Sequence, residues 1–367
     1  MDKWSASGIP FVFLVDYKCQ RPLLYRVDDI PSNLLMTFNH WTNSGQNFDT
    51  YLVAEPENRL EIKLCLQQIS TNNLEANNLA PKSKVSKSLD LVANPISFQQ
   101  YEEQFNAVKA FILRGESYLL NLSCKTPIDI NHSLKELYQL AEAKYKIYLE
   151  DQFVCFSPER FIHIEDGWIS TFPMKGTIDA NLDNAEELLK SDPKEMAEHA
   201  TIVDLLRNDL SQVARKVSVE DYGYIDRIET SGRPLLQMSS KIRGKLSSES
   251  LQVGSILSKL LPAGSISGAP KNNTCQGIER FENYDRGYYT GICGYFDGKT
   301  LDTGVMIRFI EKEKDKYFFK SGGGITFQSE AQSEYYEMLN KIYVPISRNN
   351  QNRQWQYSSP SIPQPAS

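Results

Sequence analysis

Residues 156–177 read FSPERFIHIEDGWISTFPMKGT. Two apolar runs, Phe161 to Ile164 and Trp168 to Phe172, flank Glu165-Asp166-Gly167, and an acidic residue followed by glycine is a hairpin turn signal. Glu159 follows Pro158 at the mouth of the first run, and Lys175 stands beyond the second, between Pro173-Met174 and Gly176-Thr177. Pairing of the two strands brings the ends of the segment together, and with them an acid and an amine. Taken alone, the segment reads first as an ordinary hairpin with a surface Glu and Lys, because short patterns recur by chance.

The whole chain limits what that pair serves. Its 367 residues are enough for a large core, in roughly two domains or one big one. Hydrophobic residues at 41% and charged residues at 23% describe a soluble globular protein rather than a disordered one. A net charge of -6 argues against a general nucleic-acid binder, which carries a basic face. Met1 to Trp4 lack a basic segment followed by an apolar one, so no secretory signal is expected. The apolar run Ile9 to Val15 is too short to span a bilayer. Cysteines at 19, 65, 124, 155, 275 and 293 have no C-x-x-C spacing, which points to reduced thiols and a cytoplasmic protein.

Outward from the opening segment, the pattern is regular from Ser97 onward. Phe98, Tyr101, Phe105, Val108, Phe111 and Ile112 recur at helical spacing, with Ser97 as N-cap and a stop at Gly115. Strand signals cover Ser117 to Cys124, Lys146 to Phe156, Ile225 to Ile242, Tyr289 to Phe296, Thr303 to Ile310 and Lys316 to Ser321. Helices are expected over Ser133 to Ala143, Asn184 to Leu189, Lys194 to Leu210, Leu251 to Leu261, after the Gly264 to Lys271 loop as far as about Phe281, and over Glu330 to Tyr343. Residues 1 to about 90 hold two strand signals, Pro10 to Asp16 and Thr50 to Ala54, between Asn- and Ser-rich loops, and read as an N-terminal partial sheet region. Residues 348–367, rich in Asn, Gln, Ser and Pro, are expected to be a disordered tail.

Several groups carry possible chemistry. Glu195 and Glu198 share one helix face, as do Glu334, Glu337 and Lys341 on another. Such pairs are commonly solvated faces. If they converge, an all-carboxylate set without His or Cys suits Mg²⁺ better than zinc. Gly264 to Lys271 resembles a phosphate loop, but Ala269-Pro270 separate the second glycine from the lysine, so nucleotide binding is not expected. Arg308 lies in the apolar run Val305 to Ile310, where a guanidinium needs a carboxylate, from the protein or from a ligand. Gly322, Gly323 and Gly324 allow close backbone approach to a ligand, or make a tight bend between strand and helix. Among the histidines, His199 adjoins Glu198 but faces another way on the helix.

Taken together, SPERF, PMKGT, EHATIVDLLRNDL, PAGSISGAPK, RGYYTG, the strand ending at Arg308, SGGGI and SEYYEMLNK stand in the order found in the chorismate-utilising enzymes. The chain resembles that family over residues 97–345. Its fold implies an α+β protein, with large mostly antiparallel sheets packed as a sandwich core and helices outside.

Within the family, the chain is similar to component I of the aminodeoxychorismate synthases. Anthranilate synthases carry Ala before Gly-Thr in P-I-A-G-T, where Lys175 stands here. Isochorismate and salicylate synthases place a water-activating lysine where this chain has Leu119. The resemblance implies a catalytic domain over 97–345 that converts chorismate and ammonia to 4-amino-4-deoxychorismate, in para-aminobenzoate and folate biosynthesis. Lys175 would attack the ring at C2 while Glu159 protonates the departing C4 hydroxyl. That requires a Lys175 pKa lowered towards neutrality and a Glu159 pKa raised.

It further implies Mg²⁺ held by Glu198 and Glu337, with Glu195 and Glu334 acting directly or through water. Substrate contacts match Ser265, Tyr289, Arg308, Lys341 and the amides of Gly322, Gly323 and Gly324. Most relatives carry a histidine at the position of Gln237, which can hydrogen-bond but cannot carry a proton. No cysteine has a G-x-C-x-G context, so ammonia is expected from a separate glutamine amidotransferase subunit. The alternatives are an anthranilate synthase component I, or an inactive module that binds chorismate or a partner.

Overall fold

In the hairpin at the centre of the opening segment, Trp168 pairs with Glu165, Ile169 with Ile164 and Ser170 with His163. Both turn residues, Asp166 and Gly167, have positive φ, +50° and +76°. That combination matches the right-handed twist of the flanking strands. The computed structural model describes residues 1–39, 41–45, 88–228, 234–247 and 251–346. The expected strand Thr50 to Ala54 and the tail 348–367 lie outside these residues.

The described strands, in chain order, are β1 (Phe11–Val15), β2 (Leu23–Arg26), β3 (Leu34–Phe38), β4 (Trp41–Thr42), β5 (Leu91–Ala93) and β6 (Leu119–Ile130). Next come β7 (Tyr145–Leu149), β8 (Phe153–Ser157), β9 (Arg160–Glu165), β10 (Trp168–Thr171), β11 (Met174–Asp179) and β12 (Ala214–Ile228). The last six are β13 (Leu235–Leu246), β14 (Gly268–Ala269), β15 (Ile292–Phe296), β16 (Leu301–Val305), β17 (Phe309–Glu313) and β18 (Lys316–Ile325).

They form two nine-stranded sheets. One runs β11-β13-β10-β9-β16-β15-β1-β2, with β12 also on β13; the other runs β14-β6-β18-β17-β8-β7-β3-β4, with β5 on β6. The expected α+β architecture of large antiparallel sheets with helices is what the chain adopts. Strand β1 is buried on both faces. Phe11, Phe13 and Val15 belong to one buried apolar cluster with Leu120 and Leu122 of the other sheet, while Val12 and Leu14 belong to a second with Leu34 and Met36. Each such side chain contributes roughly 1.5–3 kcal/mol by leaving water.

Helices cover the sheets as their caps dictate. Ser97 and Gln100 form a capping box for Phe98–Leu113, and Ser133 and Glu136 one for Leu134–Leu140. Pro193–Ser211 packs on β11, β12 and β13 of the first sheet. Ala331–Asn340 packs on β18 of the second. Among the described residues no helix is long and apolar enough to cross a membrane.

Three sequence expectations are corrected. Ile225 to Ile242 is two antiparallel strands, β12 and β13, rather than one extended run. The glycines 322–324 are not a bend but part of β18, opposite Ser123, Leu122 and Asn121 of β6. The run Thr303 to Ile310 breaks at 306–308, because β16 belongs to the first sheet and β17 to the second.

That break has a counterpart. The chain also changes sheets between β8 and β9, at Pro158-Glu159. The two crossings lie side by side: the Phe156 N–H donates to the Arg308 carbonyl at 3.1 Å, and the Val305 N–H donates to the Glu159 carbonyl at 3.1 Å. Glu159 and Arg308 therefore stand together where both sheets part.

Candidate active site

A cavity of about 1280 Å³ opens at these crossings. Glu159, Lys175, Glu195, Glu198, Gln237, Ser265, Tyr289, Arg308, Glu337 and Lys341 all line it, together with the three glycines of β18. Of the sequence-derived candidates only Glu334 is absent from the wall. It is 3% exposed and sits behind, against Gly323.

Lys175 reaches the cavity through a strand irregularity. The β11–β13 register slips between Lys175, opposite Met238, and Thr177, opposite Gln237. The extra residue, Gly176, has φ +75°, a conformation that glycine adopts at no steric cost. A bulge re-aims the side chain beside it. Here Lys175 Nζ donates to Glu198 Oε2 at 2.9 Å. A Cβ on Gly176 would stand 2.9 Å from Glu195 Oε2, so the missing side chain also makes room for the helix Pro193–Ser211 and its acids.

The electrostatics of Lys175 depart from expectation. Burial pulls its pKa down, but Glu198, Glu337 and Glu334 together outweigh that, and the net displacement is upward. As arranged here the side chain is an ammonium ion in an acidic setting, and its amine is not yet a nucleophile. Glu159 behaves as chemistry at a leaving group requires. Burial pushes its pKa up, against the opposing effects of the Ser265 hydroxyl, Arg308, Lys341 and Lys175. Ser265 Oγ, in the helical turn Gly264–Ser267, donates to Glu159 Oε1 at 2.9 Å.

The two acidic helices approach from opposite sheets. Gly323 of β18 leaves a hollow beneath the second pair, since a Cβ there would lie 3.3 Å from both Glu334 Oε2 and Glu337 Oε1. An all-carboxylate set over a side-chain-free strand suits a hard divalent cation in donor chemistry. Among the described residues, however, no three acidic, histidine or cysteine side chains gather closely enough to hold an ion. The cations beside these acids are Lys175, on Glu198, and Lys341, on Glu337.

Arg308 and Lys341 bring further positive charge to the cavity lining. Arg308 has φ +53°, and its buried Nε has no hydrogen-bond partner among the described residues. Its guanidinium lies 5.1 Å from the centre of the Tyr343 ring. No protein carboxylate forms an ion pair with it among the described residues. Lys341 Nζ donates to Glu337 Oε1 at 2.6 Å and to the Gly322 carbonyl at 2.8 Å, and burial lowers its pKa. β17 pairs with β18 only as far as Lys320, so Gly322 to Gly324 border the cavity without β17 beside them. Burial raises the Tyr289 pKa, which keeps its hydroxyl a proton donor.

Other motifs resolve structurally. Lys271 donates to the Leu260 carbonyl at 2.7 Å and pairs with Asp209 at 3.2 Å, so the Gly264 to Lys271 loop spends its lysine on the fold. His199 is fully buried, with Nε2 2.7 Å from Ser240 Oγ, and does not line the cavity. Sequence reasoning missed Tyr343 and Asn121 as wall residues. The Arg308 contact across 35 residues of sequence left no local signal for Tyr343.

The family model for chorismate binding enzymes matches residues 2–347. A protein of Haemophilus influenzae named "Uncharacterized PabA-like protein" is 52% identical over 259 residues, 70% of this chain and 79% of that one. Anthranilate synthase component 1 of Lactococcus lactis is 31% identical over 294 residues, 75% of this chain and 63% of that one. Aminodeoxychorismate synthase component 1 of Salmonella typhimurium is 31% identical over 260 residues, 66% of this chain and 56% of that one. Among solved structures, anthranilate synthase component I from Streptococcus pneumoniae aligns with TM-score 0.63 and 22% identity, over 91% of this chain and 80% of that one.

Proposed function

Since this chain belongs to the family of chorismate binding enzymes, we propose that it is the chorismate-converting component of an aminodeoxychorismate synthase. Relatives bearing the anthranilate and aminodeoxychorismate names match at the same 31% identity. The reading therefore rests on one observation: a lysine, Lys175, stands in the cavity before Gly176-Thr177, and Glu159 lines the same cavity.

In the proposed reaction the Lys175 amine forms a bond to ring carbon C2. The ring double bonds shift, and the C4–O bond breaks with a proton from Glu159, so the hydroxyl leaves as water. Ammonia then bonds to C4, the electrons shift back, and the N–C2 bond breaks to release the Lys175 amine and 4-amino-4-deoxychorismate. Glu159 supplies its proton because burial keeps its carboxyl protonated to higher pH than usual. Arg308, Lys341 and the β18 amides bind the substrate carboxylates, and Ser265, Tyr289 and Gln237 orient the ring.

Mg²⁺ is proposed at Glu198 and Glu337, with Glu195 and Glu334 in support; when bound, it supplies positive charge and a coordination position for a substrate carboxylate. Lys175 must part from Glu198 and shed its proton before it reacts. Ammonia is proposed to come from a separate glutamine amidotransferase subunit in the same cytoplasmic compartment.

The test is to incubate the purified chain with chorismate, Mg²⁺ and ammonium and identify the product by mass spectrometry. Aminodeoxychorismate is expected, and anthranilate would overturn the proposal. With ammonium left out, intact-protein mass spectrometry should find chorismate minus water attached at Lys175.

A further inference from the structure

Arg286 is among the largest fully buried side chains of the protein, at 2% exposure, and the reaction described above makes no use of it. A guanidinium has five N–H donors in a fixed plane, and here every nitrogen is engaged. Nε and Nη2 hold the two oxygens of Glu282 at 2.8 and 2.7 Å. Nη1 donates to the Ile266 carbonyl at 2.9 Å and to Thr290 Oγ1 at 3.2 Å. Nη2 donates also to the Asn121 carbonyl at 2.8 Å. The plane lies 4.7 Å from the centre of the Tyr17 ring.

The acceptors are what matter. Ile266 follows Ser265, the hydrogen-bond donor to Glu159. Thr290 follows Tyr289. Asn121 stands opposite Gly324 in the β6–β18 pairing. Glu282, the partner acid, accepts in turn from the Ser123 N–H at 2.8 Å and from Ser123 Oγ at 2.7 Å, and Ser123 stands opposite Gly322. One buried ion pair thus ties together the Ser265 turn, the Tyr289 segment and the strand behind the three glycines.

We propose that Arg286, locked by Glu282, is a positioning residue that sets the Ser265 hydroxyl against Glu159 and aligns the three backbone segments around the reacting centre. Neither Arg286 nor Glu282 lines the cavity. A bidentate, planar arrangement of this kind is beyond lysine, whose three donors radiate from one point. The inference rests on the acid role proposed for Glu159.

Arg286→Lys keeps the charge, so what it changes at Glu159 is geometry. The charged groups facing Glu159 are Arg308, Lys341 and Lys175, and none is altered. A hydroxyl that donates to a carboxylate favours the ionised form, and its loss raises the pKa. Two readouts follow: the pH profile of kcat/KM, and the carboxyl ¹³C titration of Glu159 in ligand-free protein, its resonance assigned by loss in Glu159→Gln.

In Arg286→Lys, kcat is expected to fall by about 10²-fold, the scale of an ångström misplacement. The Glu159 titration and the high-pH limb should both move upward, as in Ser265→Ala. Adding Arg286→Lys to Ser265→Ala should move the titration no further. An unmoved titration in folded Arg286→Lys, or a further shift in the double variant, overturns the proposal. If Arg286→Lys does not fold, Glu282→Gln carries the same test, with a smaller upward shift expected and no shift overturning it. A protein that makes no aminodeoxychorismate but shows these titration shifts refutes the reaction and leaves Arg286 its role. Turnover with unmoved titrations refutes the role alone.

Discussion

Adjacent glycines of β18 should fail in opposite ways when given a methyl group. A Cβ on Gly322 would stand 2.2 Å from the Leu122 carbonyl oxygen and 2.5 Å from Ser123 Cα. Ordinary contact begins near 3.4 Å, a shortfall of about 1.2 Å against backbone that cannot turn aside. The β6–β18 pairing must open locally. Overpacking costs about 1–3 kcal/mol and each disturbed ladder hydrogen bond about 0.5–1.5 kcal/mol, so Gly322→Ala should lose on the order of 3–5 kcal/mol.

Gly323→Ala meets side chains instead. Its Cβ would lie 3.3 Å from Glu334 Oε2 and from Glu337 Oε1, about 0.1 Å inside ordinary contact. Two flexible carboxylates accommodate that, and the stability cost should stay below about 1 kcal/mol. If these glutamates serve Mg²⁺ as proposed, filling the hollow beneath them should weaken apparent Mg²⁺ affinity by about 10–100-fold, the usual effect of disturbing a ligand's support. Thermal melts and Mg²⁺ titrations of turnover read the two effects separately. At roughly 1–2 °C per kcal/mol for a chain of this size, Gly322→Ala should melt about 6 °C early and Gly323→Ala within about 2 °C of the parent. Equal melting of the two variants would refute the packing argument. An unchanged Mg²⁺ dependence in Gly323→Ala would refute the placement of the cation over β18.

Other perturbations separate the remaining roles. Glu159→Gln should lower kcat/KM by about 10²–10⁴-fold, the range for a lost general acid. In the parent enzyme the protonated form of Glu159 is the active one, so kcat/KM should fall as pH rises through its elevated pKa, and that limb should vanish in the variant. Lys175→Ala should abolish both aminodeoxychorismate formation and the covalent adduct; full activity in this variant would exclude the covalent route. Lys271→Met should cost about 1–3 kcal/mol in denaturant melts, because it leaves Asp209 buried without its cation, and should leave the pH profile in place.

Much of the fold was legible because its signals are local. The Ser97 N-cap, the Asp166-Gly167 turn and the stop at Gly115 each depend on a few neighbouring residues, and each appears where expected. The fate of Gly322 to Gly324 was not legible, since a glycine run serves a bend or a close approach equally well until a partner strand is known. Lys271 was ambiguous for the same reason: its partners, Leu260 and Asp209, come from elsewhere in the chain. The direction of the Lys175 shift was missed because desolvation is readable from an apolar context, whereas three opposing carboxylates on two other helices are not.

The two sheet crossings show why the site itself escapes a local reading. An apolar run such as Thr303 to Ile310 predicts one strand, and nothing in its hydrophobicity marks the place where the chain leaves one sheet for the other. Arg308 marks it chemically. A guanidinium in mid-run cannot be buried without a partner, so the chain must offer it a cavity or a carboxylate. The left-handed φ of +53° at Arg308 is the backbone form of that compromise. Glu159, after Pro158, sits at the matching point of the other crossing, and the backbone hydrogen bonds between the crossings hold the two chain segments side by side. A charged residue that interrupts a strand pattern is therefore better read as the end of two strands than as a flaw in one, and the cavity here begins where two such interruptions meet.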